Sequence, residues 1–332
     1  MTCLPTTLLL GMPKSGTTWL HNCLLEKASV RPCCHIKEPA TFLRKPVPKF
    51  PTNWPQNCTE TTILDFTTNY MSFSNIVIPN ILSTYRNYKK RIHFIFVTRE
   101  PVSRSFSHYC MFIPSAISMK QICMSKKYHT SWEGVCMRYS VYFKGENTTI
   151  QEWKNILYER YPKINRNCKP GGWGRIRTNR NFEDELFAQY NYLYNRPYCN
   201  IDPHRAVHMT IHQLKEYHSK CLSKLTTNEL FIESVPVFQM AYYHKSFPNA
   251  RWTFVNYEDL FKNDTLHKIF GEIGLKQKST CNKKKINGFS SITPIHTKRV
   301  YKLFKNWSNA LHLLKMHIKE NEKSLTRKQE SL

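Results

Sequence analysis

Short apolar runs and longer amphipathic stretches alternate along the chain. Thr6 to Leu10 and His93 to Thr98 have the length and composition of buried strands. A helical pattern follows each of them, from Thr17 to Glu26 and from Pro101 to about Met111. Arg251 to Asn256 gives a third strand of the same kind. A repeated order of strand and helix predicts an α/β fold with a central parallel sheet flanked by helices.

Three further helices and one irregular region complete the predicted organisation. The helices are expected over Asn75 to Tyr88, Asn263 to Ile273 and Thr297 to Glu320. From Lys120 to His208 the chain is aromatic, basic and polar without a clear period, which predicts a large irregular insertion. We therefore expect residues 1–332 to form a single domain that carries this insertion at about 120–208.

The charge of the chain indicates an anionic partner. Its 49 Lys and Arg outnumber its 23 Asp and Glu, which leaves a formal net charge of +26. Solubility requires far less, so the excess favours a polyanion. Nucleic acid, an anionic membrane surface and a sulfated polysaccharide all meet this description, and a basic surface without a specific partner is the alternative.

The cysteines and the sequons concern the cellular compartment. Twelve cysteines without C-x-x-C spacing favour disulfides over a zinc site, and no metal is expected. Glycosylation sequons begin at Asn57, Asn147, Asn263 and Asn306. Together these features favour the secretory lumen. The sequence has no apolar run of membrane-spanning length, so a secretory protein of this kind would need an upstream membrane anchor; otherwise the protein is cytosolic and its cysteines stay reduced.

A loop suited to binding phosphate follows the first predicted strand. The residues Gly11 to Thr18 read G-M-P-K-S-G-T-T and lie between a strand and a helix. Backbone N–H groups and the positive end of a helix can hold an anion there, and Lys14 adds a full charge. In nucleoside triphosphate-binding loops the lysine follows the second glycine, whereas Lys14 precedes Gly16. This order argues against a kinase or an ATPase.

A second set of anion-binding groups follows the strand that ends at Thr98. Arg99 lies at the end of this strand, and Ser107 lies further along the helix that comes next. A guanidinium and a hydroxyl facing one anion would supply charge and a directional hydrogen bond. The competing interpretation is that Arg99 and Arg104 only solvate or cap the helix.

Both segments resemble the sulfotransferases that use 3′-phosphoadenosine 5′-phosphosulfate (PAPS). Pro13 to Thr18 matches the family's P-K-[SG]-G-T-[TS] loop, and the segment from Arg99 to Tyr109 matches its R-x-P-x-x-R-x-x-S-x-Y pattern. The resemblance implies that Lys14 contacts the oxygen between sulfur and phosphorus, and that Arg99 and Ser107 bind the 3′-phosphate. It further implies that the 5′-phosphate is bound by Ser15, Gly16, Thr17 and Thr18.

Sulfuryl transfer to an alcohol also needs a base beside the acceptor hydroxyl. Glu38 follows the first helix, at the expected carboxyl end of the next strand, where open α/β sheets collect their chemistry. Carbohydrate sulfotransferases of the Golgi have a carboxylate in a similar K-E-P segment, so the resemblance implies that Glu38 is the base. His35 is a rival base, and a solvated surface glutamate is the alternative without function.

Further segments resemble enzymes that 6-O-sulfate 4-sulfated N-acetylgalactosamine in chondroitin and dermatan sulfate. They are Asp65 to Tyr70, Phe247 to Arg251, Tyr257 to Leu260 and Ile292 to Arg299. The resemblance implies an anionic polysaccharide as acceptor, PAPS as co-substrate, and a Golgi location as the catalytic domain of a type II membrane protein. Any membrane association would then depend on an anchor outside this sequence. The insertion resembles no segment of that family.

The sequence is compatible with two other functions. A cytosolic-type enzyme that sulfates small molecules with a histidine base has a similar phosphate loop. A protein that binds glycosaminoglycans without catalysis would explain the charge, but it would not need two intact phosphate motifs. Nucleic-acid binding would also explain the charge but not the ordered phosphate motifs, so no nucleic-acid partner is expected.

Overall fold

A computed structural model describes most of the predicted α/β core. The described residues are 4–27, 30–32, 38–43, 62–86, 92–108, 182–222, 230–274 and 298–330. Residues 109–181, which include most of the predicted insertion, and the predicted rival base His35 lie outside the described residues.

The core is a five-stranded parallel sheet with the strand order β2-β3-β1-β4-β5. The strands are β1 Thr7–Leu9, β2 Val30–Pro32, β3 Thr62–Asp65, β4 His93–Thr98 and β5 Arg251–Asn256. Strand β4 pairs with β1 on one side and with β5 on the other, in register from His93 and Arg251 to Thr98 and Asn256. The parallel sheet predicted from the sequence is confirmed.

Helices cover both faces of this sheet. In chain order they are α1 Thr17–Lys27, α2 Ser74–Thr84, α3 at 101–108, α4 Phe182–Tyr194, α5 Ile211–Tyr217, α6 Val237–Ser246, α7 Asn263–Glu272 and α8 Lys298–Glu330. A π-helical turn, His218–Leu222, extends α5. Among these helices, none combines the length and the apolar character that crossing a bilayer requires.

Alternating side chains of the strands divide the core into two clusters. Leu8 of β1 and Phe94 and Phe96 of β4 point into the larger cluster, with α2, α5, α6 and α8. Leu9 and Ile95 point the other way, into a smaller cluster with α1 and α7. Successive side chains of a strand face opposite sides, so a strand buried on both faces is apolar throughout. This accounts for the uninterrupted apolar runs in the sequence.

The strand order places a topological switch point between β1 and β4. From β1 the chain leads to β2 on one side of the sheet, and from β4 it leads to β5 on the other. Ligands of open α/β sheets bind in the crevice that such diverging connections leave at the carboxyl ends of the strands. The loops that leave β1 and β4 carry Lys14 and Arg99, so both predicted phosphate segments border this crevice.

Several elements have the bounds predicted from the sequence, and others differ. Strands β4 and β5 have the predicted bounds, whereas α8 continues ten residues beyond the predicted end at Glu320. Within 182–208, the described part of the predicted insertion, the chain forms α4 and the 3-10 helix Pro203–Val207. Neither shows a clear period in the sequence, because α4 carries Tyr, Phe and Leu on several sides.

A disulfide joins two segments of the region after α4. Cys199 lies in the turn that follows α4, and Cys221 lies in the π-helical turn after α5, with 5.5 Å between the two Cα atoms. Both side chains are buried. The bond closes a loop of 22 residues, and it agrees with the prediction that at least part of the cysteines are paired.

Candidate active site

The phosphate loop leaves β1 and turns sharply before α1. Lys14 and Gly16 both have left-handed backbone conformations, with φ of 70° and 82°. Left-handed residues in such a loop direct backbone N–H groups toward one concave side, which is the geometry of an anion-binding nest. The loop then passes into the first turn of α1, which has unsatisfied N–H groups and no acidic side chain. The local structure therefore favours an anion here.

The side chains of this loop differ in exposure. Ser15 and Thr17 are buried, Lys14 is half-buried and Thr18 is exposed. Thr17 packs so closely against Gly11 that a Cβ atom at Gly11 would lie 2.7 Å from the Thr17 methyl carbon. Of the predicted phosphate ligands, Ser15 and Thr17 are therefore packed within the loop, whereas the side chain of Thr18 is exposed.

Gly16 is fixed by packing as well as by its φ angle. A Cβ atom there would lie 2.7 Å from Leu260 Cδ1 and 2.7 Å from Tyr257 Cδ2. The segment after β5 therefore lies directly against the loop. Only glycine meets both requirements, because other residues would be strained at this φ and would also clash with Tyr257 and Leu260.

Arg99 links the two predicted phosphate segments. Its Nη1 donates to the backbone oxygen of Lys14 over 3.0 Å, and its guanidinium lies 4.4 Å from the centre of the Tyr257 ring. Burial lowers the pKa of Arg99, while Tyr257 and Glu258 act in the opposite direction. The guanidinium is thus fixed between the loop and Tyr257, at the edge of the crevice.

Arg104, the second arginine of the sequence pattern, is a structural residue of the loop. It is fully buried, its Nε donates to Pro13 O over 3.0 Å, and its Nη2 lies 2.6 Å from Glu233 Oε2. Nη2 is also 2.8 Å from Nδ1 of His108. Burial lowers the pKa of His108 well below its usual value. Arg104 therefore joins the phosphate loop to α3 and to the segment before α6.

Ser107 lies in α3, the helix that follows Arg99. Glu100 caps this helix, because its Oε1 accepts from Val102 N over 3.0 Å and its Oε2 from Ser103 N over 2.7 Å. Ser107 itself is buried. In the described part of the chain no hydrogen bond joins Ser107 to Lys14 or Arg99, so its predicted role in phosphate binding stays a prediction.

Glu38 lies beyond the carboxyl end of β2, in a segment held by residues that follow β3. Its Oε2 accepts a hydrogen bond from Thr68 Oγ1 over 3.2 Å. Two residues later, Ala40 N donates to Thr67 Oγ1 over 3.0 Å, and Ala40 has a left-handed φ of 56°. The side chain of Glu38 is half-buried. The carboxylate is therefore oriented by Thr68 and is not a freely solvated surface group.

Asp65 forms the centre of the hydrogen bonds beneath Glu38. Its Oδ1 accepts from Thr67 Oγ1 over 2.7 Å and from Thr67 N over 3.1 Å, and its Oδ2 accepts from Tyr70 Oη over 2.5 Å. The carboxyl is fully buried, and this burial raises its pKa to about 6, although the hydrogen bonds from Tyr70 and Thr67 act in the opposite direction.

The parallel sheet brings Lys14, Arg99 and Glu38 to one side of the molecule. Each follows the carboxyl end of a strand, namely β1, β4 and β2. The carboxyl ends of parallel strands share one edge of the sheet, so the basic loop after β1 and the oriented carboxylate after β2 lie along the same edge. Within the described residues, no group of three or more His, Cys, Asp or Glu side chains is arranged to hold a metal ion.

The buried partners that hold the loop have no signal in the local sequence. Glu233 lies 129 residues after Arg104, and no local pattern marks it as the partner of that arginine. The segment from Asp65 to Tyr70 resembles a segment of carbohydrate sulfotransferases, and this resemblance marks it as a candidate. The resemblance does not show that Thr67 and Asp65 support Glu38. Long-range partners of this kind become visible only in the fold.

Solved structures include proteins with a similar fold. The chain is similar to the crystal structure of a sulfotransferase from Alicyclobacillus acidocaldarius, with a TM-score of 0.46 and 10% identity over 94% of this chain and 96% of that chain. No family model matches the chain. No curated protein matches it either. A similarity of this degree does not assign an activity, so the chemistry has to be argued from the site.

Proposed function

We propose that this protein is a sulfotransferase that moves a sulfuryl group from PAPS to a hydroxyl of a glycan. The observation that carries the proposal is the crevice between β1 and β4. There a lysine-bearing phosphate loop, locked to Arg99, lies on the same sheet edge as the oriented carboxylate of Glu38. The family-like residues Pro13 to Thr18 form this loop, in the strand–loop–helix context that phosphate binding requires.

Each residue has a definite task in this mechanism. The nest of the loop and the first turn of α1 bind the 5′-phosphosulfate, and Arg99 with Ser107 binds the 3′-phosphate. Glu38 accepts the proton of the acceptor hydroxyl while the oxygen of that hydroxyl forms a bond to sulfur. The bond between sulfur and the bridging oxygen breaks, and Lys14 stabilises the negative charge that develops on the departing phosphate. The products are a sulfate ester and adenosine 3′,5′-bisphosphate (PAP).

An anionic polysaccharide such as chondroitin or dermatan sulfate is the proposed acceptor. The net charge of +26 supports this choice, since a polyanionic chain is drawn to a basic surface. The Cys199–Cys221 disulfide supports a luminal site of action, because disulfides persist in oxidising compartments. We propose the Golgi lumen, where such polymers would be modified, with the chain as the catalytic domain of a type II membrane protein.

The direct test is transfer of radiolabelled sulfate from PAPS to a panel of desulfated and partly sulfated chondroitin, dermatan and heparan chains. Lys14→Ala should lower turnover by orders of magnitude, since charge stabilisation of the transition state is lost. Glu38→Gln keeps the size of the side chain but cannot accept the proton, so turnover should fall by about a hundredfold while PAP affinity barely changes. Substantial transfer by Glu38→Gln would remove Glu38 as the base.

The same assay separates the two rival functions. A small-molecule sulfotransferase would label phenols, steroids or amines and leave every polysaccharide unlabelled, and it would depend on a histidine rather than on Glu38. A non-catalytic glycosaminoglycan-binding protein would transfer no label and would not bind PAP in calorimetry. Arg99→Ala supplies a check on the cofactor site, because it should weaken PAP binding more than it changes turnover at saturating PAPS.

A further inference from the structure

The exposed side of the first half of α8 carries basic residues and no acidic ones. Lys298, Lys302 and Lys305 are exposed and follow one another at intervals of four and three residues, so they share one side of the helix. We call these three residues the lysine strip. Between Glu272 and Glu320 the sequence contains no Asp or Glu at all. In the described part of the chain, no residue of the lysine strip forms an ion pair.

These charges are unfavourable for the helix that carries them. Lysines at the start of a helix oppose the positive end of its dipole, and like charges one turn apart repel each other. Helix α8 has no acidic residue in its first turn to offset this. Glu and Lys alternating on a surface helix would stabilise it through ion pairs, and α8 has such a mixture from Glu320 onward. The lysine strip therefore has no evident structural benefit.

Contacts of the second half of α8 show where the strip lies. Lys315 Nζ donates to Thr98 Oγ1 over 2.9 Å at the carboxyl end of β4, whereas Glu322 Oε1 accepts from Trp252 N near the amino end of β5 over 3.4 Å. The helix thus runs antiparallel to the strands. Its first half continues past the carboxyl edge of the sheet, and Lys298 lies about 25 Å along the helix axis from Lys315.

Packing connects this half of α8 to the phosphate loop. Phe304, between Lys302 and Lys305 in sequence, stacks on Phe231 with ring centres 5.1 Å apart. The preceding residue, Leu230, accepts a hydrogen bond from Arg104 Nη1 over 3.3 Å, and Arg104 also binds the loop at Pro13. The buried side of this half of α8 is therefore connected through Phe231 and Arg104 to the phosphate loop, and the lysine strip lies on the exposed side of the same half.

We propose that the lysine strip is a docking surface for a linear sulfated polysaccharide, outside the crevice where sulfate is transferred. The inference that the bound polymer is the acceptor rests on the proposed function; the binding itself does not. A long polyanion would neutralise the charges of the strip, and its next repeats would then reach the sheet edge with Glu38. Nucleic acid is disfavoured because disulfides persist in oxidising compartments. Cys199 forms a disulfide, and it lies in the turn before the 3-10 helix Pro203–Val207, which contacts α8.

One acidic residue, Asp202, lies beside the strip. Asp202 Oδ1 accepts from Asn306 Nδ2 over 3.5 Å and from His204 N over 3.1 Å. His204 Nε2 also lies 2.9 Å from Asn306 Oδ1. Asp202 is thus occupied in capping its own turn and in binding Asn306, and three lysines outweigh its single charge.

The test compares two triple variants that lose the same charge. The strip variant carries Lys298→Gln, Lys302→Gln and Lys305→Gln. The control carries Lys268→Gln, Lys323→Gln and Arg327→Gln, three exposed residues of α7 and of the second half of α8. Binding to heparin and to chondroitin sulfate is measured without PAPS at several salt concentrations. Transfer is measured on long chondroitin chains and on short oligosaccharides of the same sugars.

The strip variant should lose more polymer binding than the control. The slope of log affinity against log salt should flatten by about two to three for the strip variant, as for the loss of three contacts that release counterions, and by less for the control. Its KM for long chains should rise about tenfold, with kcat and the KM for short oligosaccharides unchanged. The docking surface would be wrong if the strip variant and the control bound the polymers equally well. It would also be wrong if wild-type protein retained single-stranded DNA as well as the polysaccharides and the strip variant left the polymer KM unchanged.

This design separates the two proposals. If wild-type protein transfers no sulfate to any polymer, the proposed function fails, and the binding arm alone decides whether the strip is a polysaccharide site. If transfer occurs but the strip variant equals the control in both arms, the proposed function stands and the docking surface is wrong.

Discussion

Thr68 Oγ1 donates a hydrogen bond to Glu38 Oε2 over 3.2 Å, joining residues that are 30 positions apart. The two residues follow neighbouring strands, β3 and β2, so the parallel sheet itself brings them together. A second bond, from Ala40 N to Thr67 Oγ1, holds the backbone just after Glu38. The candidate base is thus positioned by side chains of another segment, and changes there should alter turnover without touching the cofactor loop.

Replacement of Thr67 tests this positioning. Thr67→Val keeps the shape of the side chain but removes the hydroxyl that accepts from Ala40 N and donates to Asp65 Oδ1. Since small displacements of a catalytic group are costly, kcat should fall by about tenfold or more, with PAP affinity unchanged. The matched control is Thr67→Ser, which keeps the hydroxyl and should stay near the wild-type rate. Equal rates for both variants would show that Thr67 does not position Glu38.

Gly16 and Gly274 provide a paired test of the phosphate loop. Both have positive φ, 82° and 74°, but a Cβ atom at Gly274 would have no neighbour within 4 Å, whereas one at Gly16 would clash with Leu260 and Tyr257. Gly274→Ala should lose only the strain energy of about 1–2 kcal/mol. Gly16→Ala should lose more stability and should also weaken PAP binding at least tenfold, as measured by denaturant unfolding and calorimetry. Wild-type PAP affinity in Gly16→Ala would argue against a cofactor role for this loop.

Among the residues that hold the phosphate loop, the buried pair of Arg104 and Glu233 should contribute most to the free energy of unfolding. Burial lowers the pKa of Arg104 and raises that of Glu233, while their 2.6 Å contact opposes both shifts. Arg104→Met would leave Glu233 without its charge partner and should lower the free energy of unfolding by about 3–5 kcal/mol. The double variant with Glu233→Leu should recover much of this loss. A double variant as unstable as Arg104→Met would show that the packing around Pro13, and not the charge pair, is what matters.

The elements that the sequence predicts differ from those it does not in whether their signal is local. Strand β4 and the phosphate loop were predictable, because apolar runs and a Pro-Lys-Ser-Gly pattern are local signals. The bounds of the strand β2, expected before Glu38, and the helix α6 were not predictable: β2 is a three-residue strand, Val-Arg-Pro, without an apolar run, and α6 is buried on nearly all sides and lacks an amphipathic period. Nor could a local pattern show that Arg104 turns inward to Glu233 while Arg99, five residues earlier, faces the crevice.

Asp65 should give the protein a stability that depends on pH in a definite direction. Burial raises the pKa of Asp65 from 3.8 to about 6, so between these values the folded protein keeps a proton that the unfolded chain has lost. The contribution of Asp65 to stability is therefore complete below about pH 4 and is lost as the pH rises through about 6, at no more than about 1.4 kcal/mol per pH unit. Glu38, which faces the same cluster, adds to this effect because its negative charge also raises the pKa of Asp65.

Asp65→Asn cannot ionise, so the difference in unfolding free energy between wild type and variant should fall across this pH window and level off above it. Urea unfolding at several pH values from about 4 to 8 measures this difference. In the transfer assay, ionised Asp65 accepts from Thr67 and Tyr70, whereas the protonated acid must donate one of these bonds and so loosens the segment that holds Glu38. The wild-type rate should therefore rise through about pH 6 relative to that of the Asn variant. A ratio of rates that does not change with pH would mean that the ionisation of Asp65 is not coupled to Glu38, even if the stability difference follows the expected curve.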